Sequence, residues 1–203
     1  MKVLAPLALS VALVAGAAAA QMAPNPDPAA VQAGTYAVEP THTRVLFSLS
    51  HLGFTTWYGD FTGASGSLTL DPKAAAASRL AVSVPTASIT TTNAKLDDEL
   101  KTPDWFDAAK YPTINFKSTA VTVTGPGQAE VAGELTLHGV TKPVTLKARF
   151  NGGGANPMSR AYTVGFEASG KIKRSDFGVS KYVPMVGDDV DLIISAAFEK
   201  KAG

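Results

Sequence analysis

The stretch GELTLHGVTKPVTL, residues Gly133 to Leu146, carries the period of a β-strand twice. Leu135 and Leu137 alternate with polar neighbours. Val144, Leu146, Ala148 and Phe150 resume the alternation beyond a histidine, a glycine and a proline. A period of two puts apolar side chains on one face of an extended chain, so the stretch reads as two half-buried antiparallel strands and their connection. Gly139 permits a positive φ, and Pro143, lacking an N–H, suits the start of the second strand after a turn over Gly139 to Pro143. His138 could be a base, a metal ligand or part of the turn. The default is a turn histidine that ties down the connection by hydrogen bonding.

The same period runs outward in both directions. Val45, Phe47 and Leu49 alternate, then Leu80, Val82 and Val84, Ile114 and Phe116, and Val121 and Val123. Tyr162, Val164, Phe166 and Ala168 follow, and Val190, Leu192, Ile194, Ala196 and Phe198 come last. Turn chemistry separates the runs at Asp71-Pro72, Gly125-Pro126-Gly127 and Asn151-Gly152-Gly153-Gly154. About eight or nine short strands in one domain predict an all-β sandwich or closed barrel.

Thr91 to Pro112, TTNAKLDDELKTPDWFDAAKYP, interrupts this texture. Thr92 or Asn93 can cap a helix with Leu96 and Leu100 on one face, and Thr102-Pro103 is a second helix-start signal. The pattern predicts two short helices joined by a bend across an opening of the sheet, with Trp105 and Phe106 as their apolar surface.

The chain begins MKVLAPLALSVALVAGAAAAQMA: one positive residue, an apolar run from Val3 to Val14, and small residues at Ala18 to Ala20. That is the pattern of a secretory signal peptide over residues 1–20, too short to span a bilayer. Cleavage near Ala20 would leave a Pro-rich leader at 21–34, expected to be flexible, then one β domain over 35–201 in the periplasm or outside the cell. No further run has membrane-spanning length. The 203 residues contain no cysteine, so the domain must hold together through its core. Without Lys2 the 18 basic residues become 17, equal to the 17 acidic ones, which leaves no basic footprint for nucleic acid.

The three histidines, His42, His51 and His138, have no metal-ligand spacing, and no nucleophile motif is present. His51 shares the parity of Val45, Phe47 and Leu49 and is expected to face inward as a hydrogen-bonded core residue. No metal or catalytic residue is assigned. Lys171, Lys173, Arg174 and Lys181 around Ser175-Asp176-Phe177-Gly178 read as an exposed basic loop, with Asp176 pairing one of them.

Several motifs in order resemble the YceI-like family. They are EPTHTRVLFSLSHLGF, YGDFTGASGSLTLDP, ASITTTN, LKTPDWFDAAKYPTINFKST, GELTLHGVTKPVTL and IKRSDFGVS, and together they cover nearly all of Tyr36 to Glu199. The resemblance implies an antiparallel eight-stranded lipocalin-like barrel with a short helical segment near residues 93–110. It implies an isoprenoid lipid held as ligand, of quinone or polyprenyl-phosphate type, with no cofactor and no catalysis; it also suggests a homodimer. Alternation and motif match together nominate Phe47, Leu49, His51, Phe54, Trp57, Phe61, Ile114, Phe116, Phe166 and Phe177 as wall residues, with Trp105 and Phe106 as the helical cover. Where many relatives carry an Arg-Asp-x-His-Leu run, this chain has Leu96-Asp97-Asp98-Glu99-Leu100, which removes the arginine and the histidine. Two other readings stay open. A cavity enzyme would need His51 or His138 within hydrogen-bond reach of an acid, and a filled barrel would serve only as a scaffold.

Overall fold

The computed structural model describes residues 23–201; the apolar segment read as a signal peptide lies outside them. Nine strands form one sheet: β1 (Gly34–His51), β2 (Thr55–Phe61), β3 (Ser65–Leu70), β4 (Arg79–Pro85), β5 (Thr113–Gly125), β6 (Gln128–Leu137), β7 (Val140–Ala155), β8 (Tyr162–Lys173) and β9 (Asp189–Lys200). Every pairing is antiparallel, and β9 returns to pair with β1 and close the barrel. β2 and β3 run successively along the same side of β1, opposite its second and first halves, so nine strands make eight staves. Closure leaves backbone paired on one side alone only in stretches: part of β2, β5 beyond Lys117 and β7 before Lys147.

The strands follow the alternation, with adjustments that the period alone does not announce, two of which keep the cavity wall apolar. On β5, Ile114 and Phe116 face the interior, and so do Val121 and Val123, although the parity has changed. A bulge between Ser118 and Ala120 inserts one residue and restores the inward face. A larger irregularity between Glu39 and Arg44 does the same for β1, bringing both Val38 and Val45 inward.

The Gly133–Leu146 stretch is a hairpin tighter than expected. Leu137 pairs directly with Val140, so the chain reverses in two residues, His138 at φ 52° and Gly139 at φ 76°. Two consecutive positive φ angles are what a two-residue turn needs to match the twist of its strands. Pro143 does not shape the turn. It sits inside β7 opposite Glu134, in the part of the strand that pairs with β6 alone, where its missing N–H removes no ladder bond to β8.

Only one of the two expected helices forms. Helix α1 (Ala94–Leu100) is capped by Asn93, whose side chain accepts from Leu96 N at 3.3 Å. Thr102 to Phe106 is a series of turns, closed by Trp105 N donating to Thr102 O and Phe106 N to Leu100 O. Pro103 sits inside the first of these turns, a position its fixed φ suits as well as a helix start.

The barrel has two dissimilar ends. At the open end lie the β3–β4 connection, the β5–β6 turn and the start of β1. At the closed end, residues 86–112 lie against the outer edge of β2, joined by paired backbone bonds between Asp60 and Thr90 of 2.9 and 3.0 Å. The β8–β9 connection fills the other gap, where β7 and β8 part, and buries Phe177 against Leu135 and Leu137.

Candidate ligand-binding site

An apolar cavity of about 510 Å³ occupies the barrel from its open end. A second space of about 120 Å³ lies toward the closed end. Val45, Val84, Ile114, Leu135 and Leu192 line both, so the two meet at an aliphatic waist. The hollow has a sequence origin. In the ladders Ala129 pairs with Ala148, and Ala148 with Ala168, which places three alanines side by side on adjacent strands, all facing the cavity. Larger side chains at that level would meet across a barrel of this size, which has room for side chains or for one slim ligand.

The leader closes part of the mouth. Asn25 bridges to Gly153 with backbone bonds of 2.8 and 2.9 Å, Asp27 caps the turn Pro28–Ala30, and Val31 is buried. Pro28, Ala29 and Val31 line the cavity. The segment read as a flexible leader therefore lies on the barrel from Pro24 to Val31, because Val31 has an apolar surface to bury and Asp27 can satisfy Ala29 N. The polar groups of the large cavity are few and sit mostly near its rim: Ser78, Arg79 and Gln128, with Thr43 deeper on β1. Ser78 Oγ is buried without a hydrogen-bond partner, while Arg79 Nη1 donates to the carbonyls of Ala77 and Ser78.

At the other end the inner space is bounded by Phe47, Leu49, Phe61, Leu100, Trp105 and Phe106, with Arg174 and Val179 at its limit. Arg174 is not the exposed loop residue its neighbours suggested. It is buried, and its Nε, Nη1 and Nη2 donate to the carbonyls of Gly187, Val179 and Val186, each at 2.8 Å. Its guanidinium also lies over Trp105, 5.6 Å from the ring centre. Burial lowers its pKa and the nearby Asp188 opposes that shift. Asp188 is itself buried enough to raise its carboxyl, but hydrogen bonds from Ser175 N and Oγ outweigh this and hold it below the usual range. The remaining cations of this loop pair outward: Lys171 with Asp191, Lys173 with Asp189 and Lys181 with Asp104. Asp176 is not their partner.

Of the nominated residues, Phe47, Leu49, Phe61, Trp105, Phe106, Ile114, Phe116 and Phe166 line the two spaces. Phe177 does not; it is part of the plug between β7 and β8. His51, Phe54 and Trp57 do not either, because the β1–β2 hairpin runs past the end of the barrel. There the His51 and Trp57 rings stack at 4.5 Å, and Phe54 is 88% exposed. The alternation continues beyond the region that has an inside. The wall residues that went unnamed are chiefly aliphatics and the alanine row, which carry no signal except their parity.

The histidines hold structure. His138 Nδ1–H donates to Phe177 O at 3.2 Å, tying the hairpin turn to the plug, and Tyr111 packs edge-on against its ring. His42 lies on the outer surface against Glu39 at 2.6 Å. Among the described residues neither His51 nor His138 bonds a carboxylate, and no group of three or more potential ligands gathers to hold a metal. Glu99 accepts from Trp105 Nε1 at 3.1 Å and faces Lys181 at 3.7 Å, so it positions the cover's largest ring.

Protein YceI of Escherichia coli O157:H7 is 41% identical over 157 residues, which is 77% of this chain and 81% of that protein. BcnA of Burkholderia cenocepacia superposes with a TM-score of 0.71 at 27% identity, over 79% of this chain and 98% of that one. A polyisoprenoid binding domain from Saccharophagus degradans gives a TM-score of 0.64 at 14% identity, over 84% and 100%, a likeness of fold. The family description "YceI-like domain" matches residues 36–198, nearly the whole barrel from Tyr36 on β1 to Phe198 on β9. With a closed barrel of eight staves, a helical insertion at one end and this extent of sequence identity, the chain belongs to the YceI-like family.

Proposed function

We propose that the protein is exported and holds one long isoprenoid chain, of quinone or polyprenyl-phosphate type, inside the barrel for sequestration or transport without changing it chemically. The observation that carries this reading is the apolar cavity of about 510 Å³ that continues through an aliphatic waist into the inner space. Burying each methylene contributes about 0.8 kcal/mol, so a chain of tens of carbons needs no strong polar anchor. The wall suits this mode. Its two cations, Arg79 and Arg174, stand at opposite ends, and between them, Thr43 apart, a branched hydrocarbon meets mostly aliphatic, aromatic and alanine surface. Ser78 Oγ and Arg79 give the mouth polar groups for a head group. The ligand named for the Saccharophagus degradans domain makes this class the first to test.

Native mass spectrometry of gently purified protein is expected to show an added mass matching an isoprenoid lipid, and stripped protein is expected to take up added ubiquinone. A clean protein mass with no uptake overturns the reading. Sedimentation velocity tests the homodimer that belongs to the same proposal, and the N-terminal sequence of secreted material tests export.

A further inference from the structure

The closed end carries an apolar surface that the cavity does not use. The β1–β2 hairpin ends in Leu52-Gly53-Phe54, and Tyr182 to Gly187 lies beside it. Leu52 N donates to Met185 O at 2.8 Å, and His51 bridges to Val186. Phe54 is 88% exposed, and Leu52, Tyr58, Tyr182 and Met185 are each at least half exposed. Residues 52–59 and 182–187 contain no charged side chain. Leu52 and Tyr182 are held at φ 55° and 62°, a left-handed backbone that bulky residues rarely adopt. Both bulky residues thus hold an uncommon backbone conformation while about half of each side chain stays exposed.

We infer that this tip is a membrane-docking surface that seats on a lipid bilayer. The inference rests on the lipid-binding reading above for its purpose, but not for its geometry. The tip is the end of a protruding hairpin rather than a groove, and it mixes aromatic and aliphatic side chains without charges, the composition that settles at a headgroup–acyl boundary. The Lys181 ammonium behind it is already engaged by Asp104 at 2.9 Å, so the surface offers no cationic patch and selects no anionic lipid. Its position is also apt. Tyr182 packs edge-on against Trp105 at 6.1 Å, and Trp105 lines the inner space. Docking therefore brings the cover, a piece of wall that is not a barrel stave, against the bilayer from which an isoprenoid chain would come.

Flotation of the purified protein with phosphatidylcholine vesicles tests this. Wild-type protein is expected to float with the vesicles equally at low and high salt. Phe54→Asp combined with Met185→Asp is expected to lower partitioning at least about tenfold, the factor that removing one buried apolar side chain supplies. Both side chains are exposed, so the urea midpoint of the variant should match wild type. Lipid occupancy by native mass spectrometry should also be unchanged. Ala168→Phe, which fills the cavity, is expected to abolish occupancy and leave flotation intact, so the two readings fail separately. Wild-type protein that stays in solution, or a double variant that floats as well as wild type, overturns the inference. So does a dimer that protects Phe54 and is dissolved by the double variant, since the tip would then be a protein interface.

Discussion

The two ends of the barrel solve opposite problems with the same strands. At the open end the staves carry alanines, aliphatics and a few phenylalanines, a buried serine hydroxyl has no partner, and the lid is a single leader segment held by the Asn25–Gly153 backbone bonds, by Val31 and by bonds to Gln32. At the closed end the gaps between staves are filled by insertions, and polar groups are matched one to one: Arg174 to three carbonyls, Asp188 to Ser175, His138 to Phe177. One end is built to be occupied and the other to be fixed. A buried cation is tolerable where carbonyls meet its donors, and a void where little polar surface faces it.

The strongest way to break this contrast is to attack the fixed end. Arg174→Met keeps most of the bulk but leaves three carbonyls without donors, and is expected to cost about 3 kcal/mol or more in urea unfolding. The converse substitution at the hollow end, Ala168→Phe, should leave the urea midpoint no lower than wild type while bound lipid disappears from native mass spectra, because the added ring enters empty space. Equal destabilisation by the two changes would dissolve the distinction. Val31→Ser at the lid is expected to cost only about 1 kcal/mol and to speed exchange of a fluorescent lipid, since it loosens the mouth without touching the closed end.

Acid supplies a test confined to one pH range. Burial alone would raise the Glu39 carboxyl, but hydrogen bonds from Thr41 and His42 lower it from 4.5 to about 2. A depressed folded-state pKa stabilises above the unfolded value, and the contribution fades as pH falls from about 4.5 toward 2. Wild type should therefore exceed Glu39→Gln in stability at pH 6 and converge with it near pH 2, measured by urea midpoints across that range.

The strands were legible because a half-buried sheet forces apolar residues to every second position, and Val190 to Phe198 shows this without interruption. The bulges were not, since one extra residue in β5 leaves two shorter runs that read as separate strands. Ala148 and Ala168 take part in the alternation, but alanine is neutral in every pattern and does not mark a cavity wall; only the strand register reveals that they adjoin each other and Ala129. Aromatic residues misled in the opposite way. Phe54 and Trp57 follow the family motif, and Trp57 pairs with Leu49, yet they stand where the hairpin has outrun the barrel. Arg174 was read by its neighbours' charge, whereas its place is set by carbonyls that only the folded loop brings together.

The alanine row has a mechanical corollary. A compact fold resists hydrostatic pressure in proportion to how little empty volume its unfolding would eliminate. A barrel hollowed in this way should, without a guest, yield to compression at pressures that a solid core of the same length withstands. If a hydrocarbon chain fills the bore as proposed, the same molecule should become less compressible, so its pressure tolerance would report directly on how full it is.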